Sequence, residues 1–160
     1  MPFASPGNFS HSAGGQRVAR LVLDTNVWLD WLVFGDPAAA PIRAAAAAGR
    51  AAIFIDDACA AELARVLAYP LGRRTLAAAA QVAALAECRR FAQPIERPDR
   101  SDEEVTALPR CRDPDDQKFL EAAAAARADM LITKDDALLE LDRRRTKPPF
   151  RILTPQDFSL

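Results

Sequence analysis

The side chains in this chain best suited to chemistry are carboxylates. In "CRDPDDQ", Asp113, Asp115 and Asp116 fall within four residues around Pro114, and Asp24 and Asp135 close the apolar runs "LVLD" and "LITKD". Glu62 lies in "DDACAAELARVL". The sole histidine, His11, belongs to a Gly-, Ser- and Pro-rich leader. A Ser-His-Asp triad, a histidine general base and a histidine-rich metal site are therefore improbable, and an enzyme built from this chain must work through its acids. Two unit charges about 4 Å apart repel by roughly 4 kcal/mol at an effective dielectric near 20. Acids gathered together must either hold protons or bind a cation. Hard oxygen donors without His or thiolate select Mg²⁺ or Mn²⁺ over zinc. Such ions activate water and neutralise phosphate oxygens, so phosphodiester hydrolysis is the natural expectation.

The three clustered aspartates also have a simple structural explanation. Asp113 suits an N-cap, Pro114 the first helical position, and Asp115 and Asp116 a first turn where the helix dipole favours negative charge. Helical geometry separates them. With Asp116 as origin, Phe119 lies about 60° to one side, Leu120 about 40° to the other and Ala123 about 20° away. Asp116 then sits in the middle of the apolar face, with Gln117, Lys118 and Glu121 opposite and Asp115 at the margin. A capping aspartate has no reason to face the core, so Asp116 is the candidate site residue. Asp113 is the expected cap, and its role as a further ligand stays open. Glu62 lies at the edge of the stripe formed by Cys59, Leu63, Val66 and Leu67, where an isolated glutamate is more often solvated. Asp56 and Asp57 read as strand-end and N-cap residues.

The elements that must position these acids alternate. Apolar runs at 18–23, 51–56, 128–133 and 150–154 read as buried strands. Ala-rich stretches at 37–48, 58–68, 75–91 and 116–127 read as helices, as 34 alanines suggest. Residues 94–110 are polar and Pro-punctuated, and read as a loop. Alternation of this kind predicts an α/β fold with a parallel sheet covered on both faces, and ligands beyond the carboxyl ends of the strands. The 160 residues fit one domain over 17–160, preceded by a disordered tail over 1–16.

A net charge of -1, with 21 basic against 22 acidic residues, announces neither nucleic acid nor membrane globally. No run reaches the length of a membrane span, and no secretory leader is evident. Cys59, Cys88 and Cys111, widely spaced and without a CxxC pair, read as buried or inert thiols in a reducing cytoplasm. Arg73, Arg74 and Arg143 to Arg145 read as solvated charge rather than an RNA contact. Trp28 and Trp31 could stack bases, but their spacing beside Val27 and Leu32 fits core or dimer packing better.

In order along the chain, "LVLDTNVWLDWLV", "AELARVL", "CRDPDDQKFLEAAAAARADMLITKDDALL" and "ILTPQDF" make residues 18–158 resemble a PIN domain, a single-domain nuclease family that includes many bacterial toxins of type II toxin-antitoxin pairs. The resemblance implies a sheet of four or five parallel strands flanked by helices. It also implies acids that coordinate Mg²⁺ or Mn²⁺ and cleave single-stranded RNA. By position these acids are Asp24, Glu62, Asp116 and Asp135. Asn26 and Thr133 match the polar partners that hold them, although helix capping and strand-end bonding explain both equally well. The partners expected are RNA, an antitoxin protein and a second copy of the chain in a dimer. An aspartate-nucleophile phosphatase is the alternative enzyme, but it typically needs a second Asp where Asn26 stands. A catalytically silent binding module is the other alternative, against which the intact set of acids argues.

Overall fold

The structure, a computed structural model, describes residues 15–96 and 107–160. Its centre is a five-stranded, all-parallel sheet in the order β3-β2-β1-β4-β5, formed by β1 (Ala19–Leu23), β2 (Ala51–Asp56), β3 (Ala92–Ile95), β4 (Met130–Ile132) and β5 (Arg151–Leu153). β1 is central: Leu21 pairs with Ile53 on one side and Met130 on the other. The chain first builds outward through β2 and β3, then crosses to β4 and β5. The strand order therefore reverses between β1 and β4, where open parallel sheets leave a crevice at their carboxyl ends.

Pleating sends successive residues of β1 to opposite faces. Val22, Phe54, Leu131 and Ile152 join one buried cluster with Phe119, Leu120 and Leu138, while Leu21, Leu23, Ile53 and Ile132 join the other with Trp28, Ile42, Leu63 and Leu67. Each such side chain contributes about 1.5–3 kcal/mol on full burial. Both faces are buried, which explains the uninterrupted apolar runs. The helices covering them are α1 (Thr25–Leu29), α2 (Ala40–Ala47), α3 (Asp57–Leu67), α4 (Ala78–Phe91), α5 (Gln117–Ala125) and α6 (Asp136–Leu139). The two tryptophans are core residues, with ring centroids 5.1 Å apart and Trp31 edge-on to Phe91. All three cysteines are buried.

Several sequence expectations change. Residues 92–95 form a strand, so the polar segment does not begin at 94; Pro94 is tolerated because β3 is an edge strand that needs no donor on its open side. Residues 97–106 of that segment lie outside the described residues, as does the tail up to residue 14, while 107–110 carry no helix or strand, as expected of a loop. Gly15 and Gln16 carry no regular structure. The helices expected from 37, 75 and 116 start α-helical geometry only at Ala40, Ala78 and Gln117; 3-10 turns over Pro37–Ala39 and Pro114–Asp116 precede the first and last. α1, the π-turn Asp30–Phe34 that follows it, and α6 are too short to leave a periodic signature. Among the described residues no helix is long and apolar enough to cross a membrane.

Candidate active site

Asp24 follows β1 directly, and its main chain starts α1: its carbonyl accepts from Val27 and Trp28 at 3.0 and 3.1 Å. Its carboxylate makes no capping bond. Instead Oδ2 accepts from the Thr133 hydroxyl at 2.6 Å, and Thr133 Oγ1 in turn accepts from the Asp135 N–H at 3.0 Å. Thr133, fully buried at the end of β4, thus ties together the two strand ends that flank the crevice. Burial pushes the Asp24 carboxyl above the ordinary carboxylate range; the Thr133 hydroxyl and nearby Asn26 N–H oppose this, and the charges of Asp135 and Glu62 add to it.

Asp135 caps α6 through Oδ1, which accepts from Ala137 N–H at 2.8 Å, and is half-buried. That bond fixes the carboxylate's orientation and leaves its second oxygen without a capping task. Asp113 caps the 3-10 turn in the same way, accepting from Asp115 N–H at 3.0 Å, and is exposed. Asp115 is exposed too.

Asp116 behaves differently. It makes no capping bond, is half-buried, and its Oδ2 is buried without a hydrogen-bond partner. Burial first, then the charges of Asp135, Asp24, Asp113 and Glu62, raise its pKa from 3.8 to about 7. An orphaned carboxylate oxygen costs on the order of 1–3 kcal/mol, so such a group demands a reason. Because Asp116 ends the 3-10 turn rather than lying within α5, the helical wheel does not apply to it strictly. It still turns away from solvent, as the apolar positions after it do.

Glu62 is no solvated glutamate. Its side chain is 16% exposed, Oε1 pairs with Lys118 Nζ at 2.7 Å, and Oε2 accepts from the Thr25 hydroxyl. Lys118 thereby departs from the solvent side expected of it. Its ammonium, 18% exposed, bends back toward α3 and also donates to the Asp115 carbonyl at 2.7 Å. A wheel places Cβ, not the end of a four-carbon stem. Gln117, expected opposite Asp116, instead fastens the incoming chain: Oε1 accepts from Cys111 N–H at 2.7 Å and Nε2 donates to the Pro109 carbonyl at 3.2 Å.

Asn26 is exposed, and among the described residues its side chain bonds none of the acids. It lines an open depression of about 640 Å³ with Arg112, Asp113, Lys134 and Asp135. Lys134 Nζ pairs there with Asp30 at 2.6 Å, whose residue is 6% exposed. Neither Asp30 nor Lys134 stood out in the sequence, since an acid six residues beyond Asp24 gives no sign that the π-turn will carry it back beside β4. Thr25, inside the "DTN" triplet, was similarly hidden. Cys111 is held protonated, its thiol raised by burial and then by Asp116, Asp135 and Asp113.

Asp116 therefore feels the charges of Asp135, Asp24, Asp113 and Glu62, and Asp24 those of Asp135 and Glu62, at the sheet's switch point, with Asp113 at the rim. Among the described residues no three Asp, Glu, His or Cys side chains form a ready-made metal cage. Bare carboxylates at such range repel one another. The donor set fits a hard divalent cation: all oxygen, with one buried oxygen that nothing in the protein satisfies.

Comparison with known proteins agrees with this fold. A family model described as PIN domain matches residues 20–137. The fold is similar to a chain in the crystal structure of VapBC2 from Rickettsia felis bound to a DNA fragment from their promoter, with a TM-score of 0.62, 14% identity, and coverage of 84% of this chain and 98% of that one. No curated protein matches the sequence.

Proposed function

The chain belongs to the PIN domain family, whose members are generally nucleases, and on that premise we propose that it is a metal-dependent endoribonuclease acting on single-stranded RNA as the toxin of a toxin-antitoxin pair. The observation that carries the metal assignment is the buried, unpartnered Oδ2 of Asp116 among like charges. Asp24, Asp116 and Asp135 would hold Mg²⁺ or Mn²⁺, with Glu62 completing the acidic set and Asp113 at the rim, where its charge acts on Asp116. When bound, the ion supplies an activated water and neutralises charge on a phosphate's oxygens.

The chain's own groups do the rest. Thr133 fixes the Asp24 carboxylate and, through the Asp135 N–H, the separation of the two strand-end acids. Partners behind a metal ligand of this kind commonly change affinity or activity by about 10–100-fold. Arg112, Lys134 and the Asn26 amide, along one open depression, suit a phosphodiester backbone that must lie beside the acids. Similarity to a chain of the VapBC2 complex supports an antitoxin protein as partner. A homodimer is the expected assembly.

Purified, metal-stripped protein should cleave single-stranded RNA only after Mg²⁺ or Mn²⁺ is restored. Undiminished cleavage in EDTA would reject the metal mechanism. Expression should slow growth, and a neighbouring antitoxin-like reading frame should relieve it.

A further inference from the structure

The geometry points to Lys118 as a built-in cation that occupies the Glu62 side of the acidic cluster, so that the chain holds one divalent ion rather than two and Glu62 is a positioning residue rather than a ligand. This inference rests on the metal-dependent reading above and specifies how many ions the site takes.

Four observations carry it. Both oxygens of Glu62 are engaged by protein groups: Lys118 Nζ at 2.7 Å on Oε1, and the Thr25 hydroxyl on Oε2. Arg65 stands 3.9 Å from the same Oε1 as a second, looser counter-charge. The ammonium is itself anchored, donating to the Asp115 carbonyl at 2.7 Å, and both partners are largely withdrawn from water. Asp116, by contrast, presents a buried oxygen with no partner at all. The cluster is thus compensated at one end and uncompensated at the other. A divalent ion near Glu62 would have to expel the ammonium from two short bonds. An ion near Asp116 displaces no protein group.

The arrangement also has a mechanical sense. α3 carries Glu62 and α5 carries Lys118 in its first turn, so their ion pair spans the two helices that approach the site from opposite faces of the sheet. Because the Nζ–Asp115 bond holds the 3-10 turn on which Asp116 sits, Lys118 sets where Asp116 points. Glu62 holds Lys118, and Lys118 holds the turn.

The test is a count of bound ions. Metal-free full-length protein is titrated with MnCl₂, with free Mn²⁺ read by electron paramagnetic resonance and heat by calorimetry. The wild type is expected to take one tightly held ion per chain. Lys118→Gln should take two, and Lys118→Arg one. Glu62→Gln should keep the single ion with affinity changed by no more than about tenfold, the low end for a group behind a metal ligand. Two ions in the wild type would overturn the inference while leaving the metal-dependent reading intact; no ion in the wild type would overturn both. A folded Lys118→Gln with one ion would also overturn it. Should that variant fail to fold, loss of the ion in Glu62→Gln by more than about 100-fold still decides against it.

Discussion

Among adjacent aspartates of identical chemistry, environment assigns the roles. Asp113 spends an oxygen on Asp115 N–H, Asp115 faces water, and Asp116 has a buried oxygen with nothing to bond. Asp116→Asn should therefore lower RNA cleavage by more than about 100-fold, beyond what positioning partners contribute, while Asp115→Asn stays near wild type. Matched turnover assays check this, and equal losses would show the site misassigned. The same environment fixes a pH dependence. Since the Asp116 pKa is raised from 3.8 to about 7 on folding, the folded state binds its proton more tightly than the unfolded chain. That stabilisation is complete below about pH 4 and is lost as pH rises through about 7; Asp24, also raised, acts in the same direction. Metal-free wild type should accordingly lose melting temperature across that window, and Asp116→Asn should lose less, as thermal melts in EDTA at stepped pH would reveal. The places of Asp24 and Asp135 could be read from sequence because each follows the apolar run of a strand, Asp24 directly and Asp135 three residues after β4. The Lys118–Glu62 and Lys134–Asp30 pairs could not, because long side chains reach partners that periodicity does not encode.

At the scale of elements, the strands that frame the site were legible because burial on both faces makes them continuous apolar runs. β3 was not: "AQPI" carries a glutamine and a proline, and only its place at the sheet edge makes them acceptable. Helix ends were shifted by turns of tighter geometry, and at Asp116 that shift matters most, since the residue belongs to the 3-10 turn while its neighbours belong to α5. The far end of α5 carries its own strain. Arg127 adopts φ of 48°, the left-handed conformation, as the helix closes with Ala128 N–H bonding the Ala123 carbonyl at 2.9 Å. A side chain there costs on the order of 1 kcal/mol that glycine avoids. Arg127→Gly should raise the melting temperature by about 2–4 °C, given the usual scale for a domain of this size. An unchanged or lower value in calorimetry would mean that the arginine's own packing outweighs the backbone gain.

For the molecule as a whole, the switch-point topology brings β1 and β4 together and makes a site from segments more than a hundred residues apart in sequence, as the Thr133–Asp24 bond shows. On the metal-dependent reading, metal binding and folding are coupled. An ion present at about 100 times its dissociation constant stabilises the native state by about 2.7 kcal/mol. For this chain that corresponds to a rise of about 5–10 °C in melting temperature. The rise should be larger at pH 8 than at pH 6, where the ion must first displace the Asp116 proton. Melts with and without Mn²⁺ at the two pH values check it, and a pH-independent rise would place the ion away from Asp116.

The packing behind Asp24 has an optical consequence. Trp28, whose main-chain N–H bonds the Asp24 carbonyl, and Trp31 are the only tryptophans in the chain, and among the described residues neither indole N–H finds a hydrogen-bond partner. Both rings lie in the buried apolar cluster, and α1 ties Trp28 to the first carboxylate-bearing residue of the site through the main chain. The intrinsic fluorescence of this protein is therefore emitted from one place, and any event that moves Asp24 is written into its colour and intensity without a label.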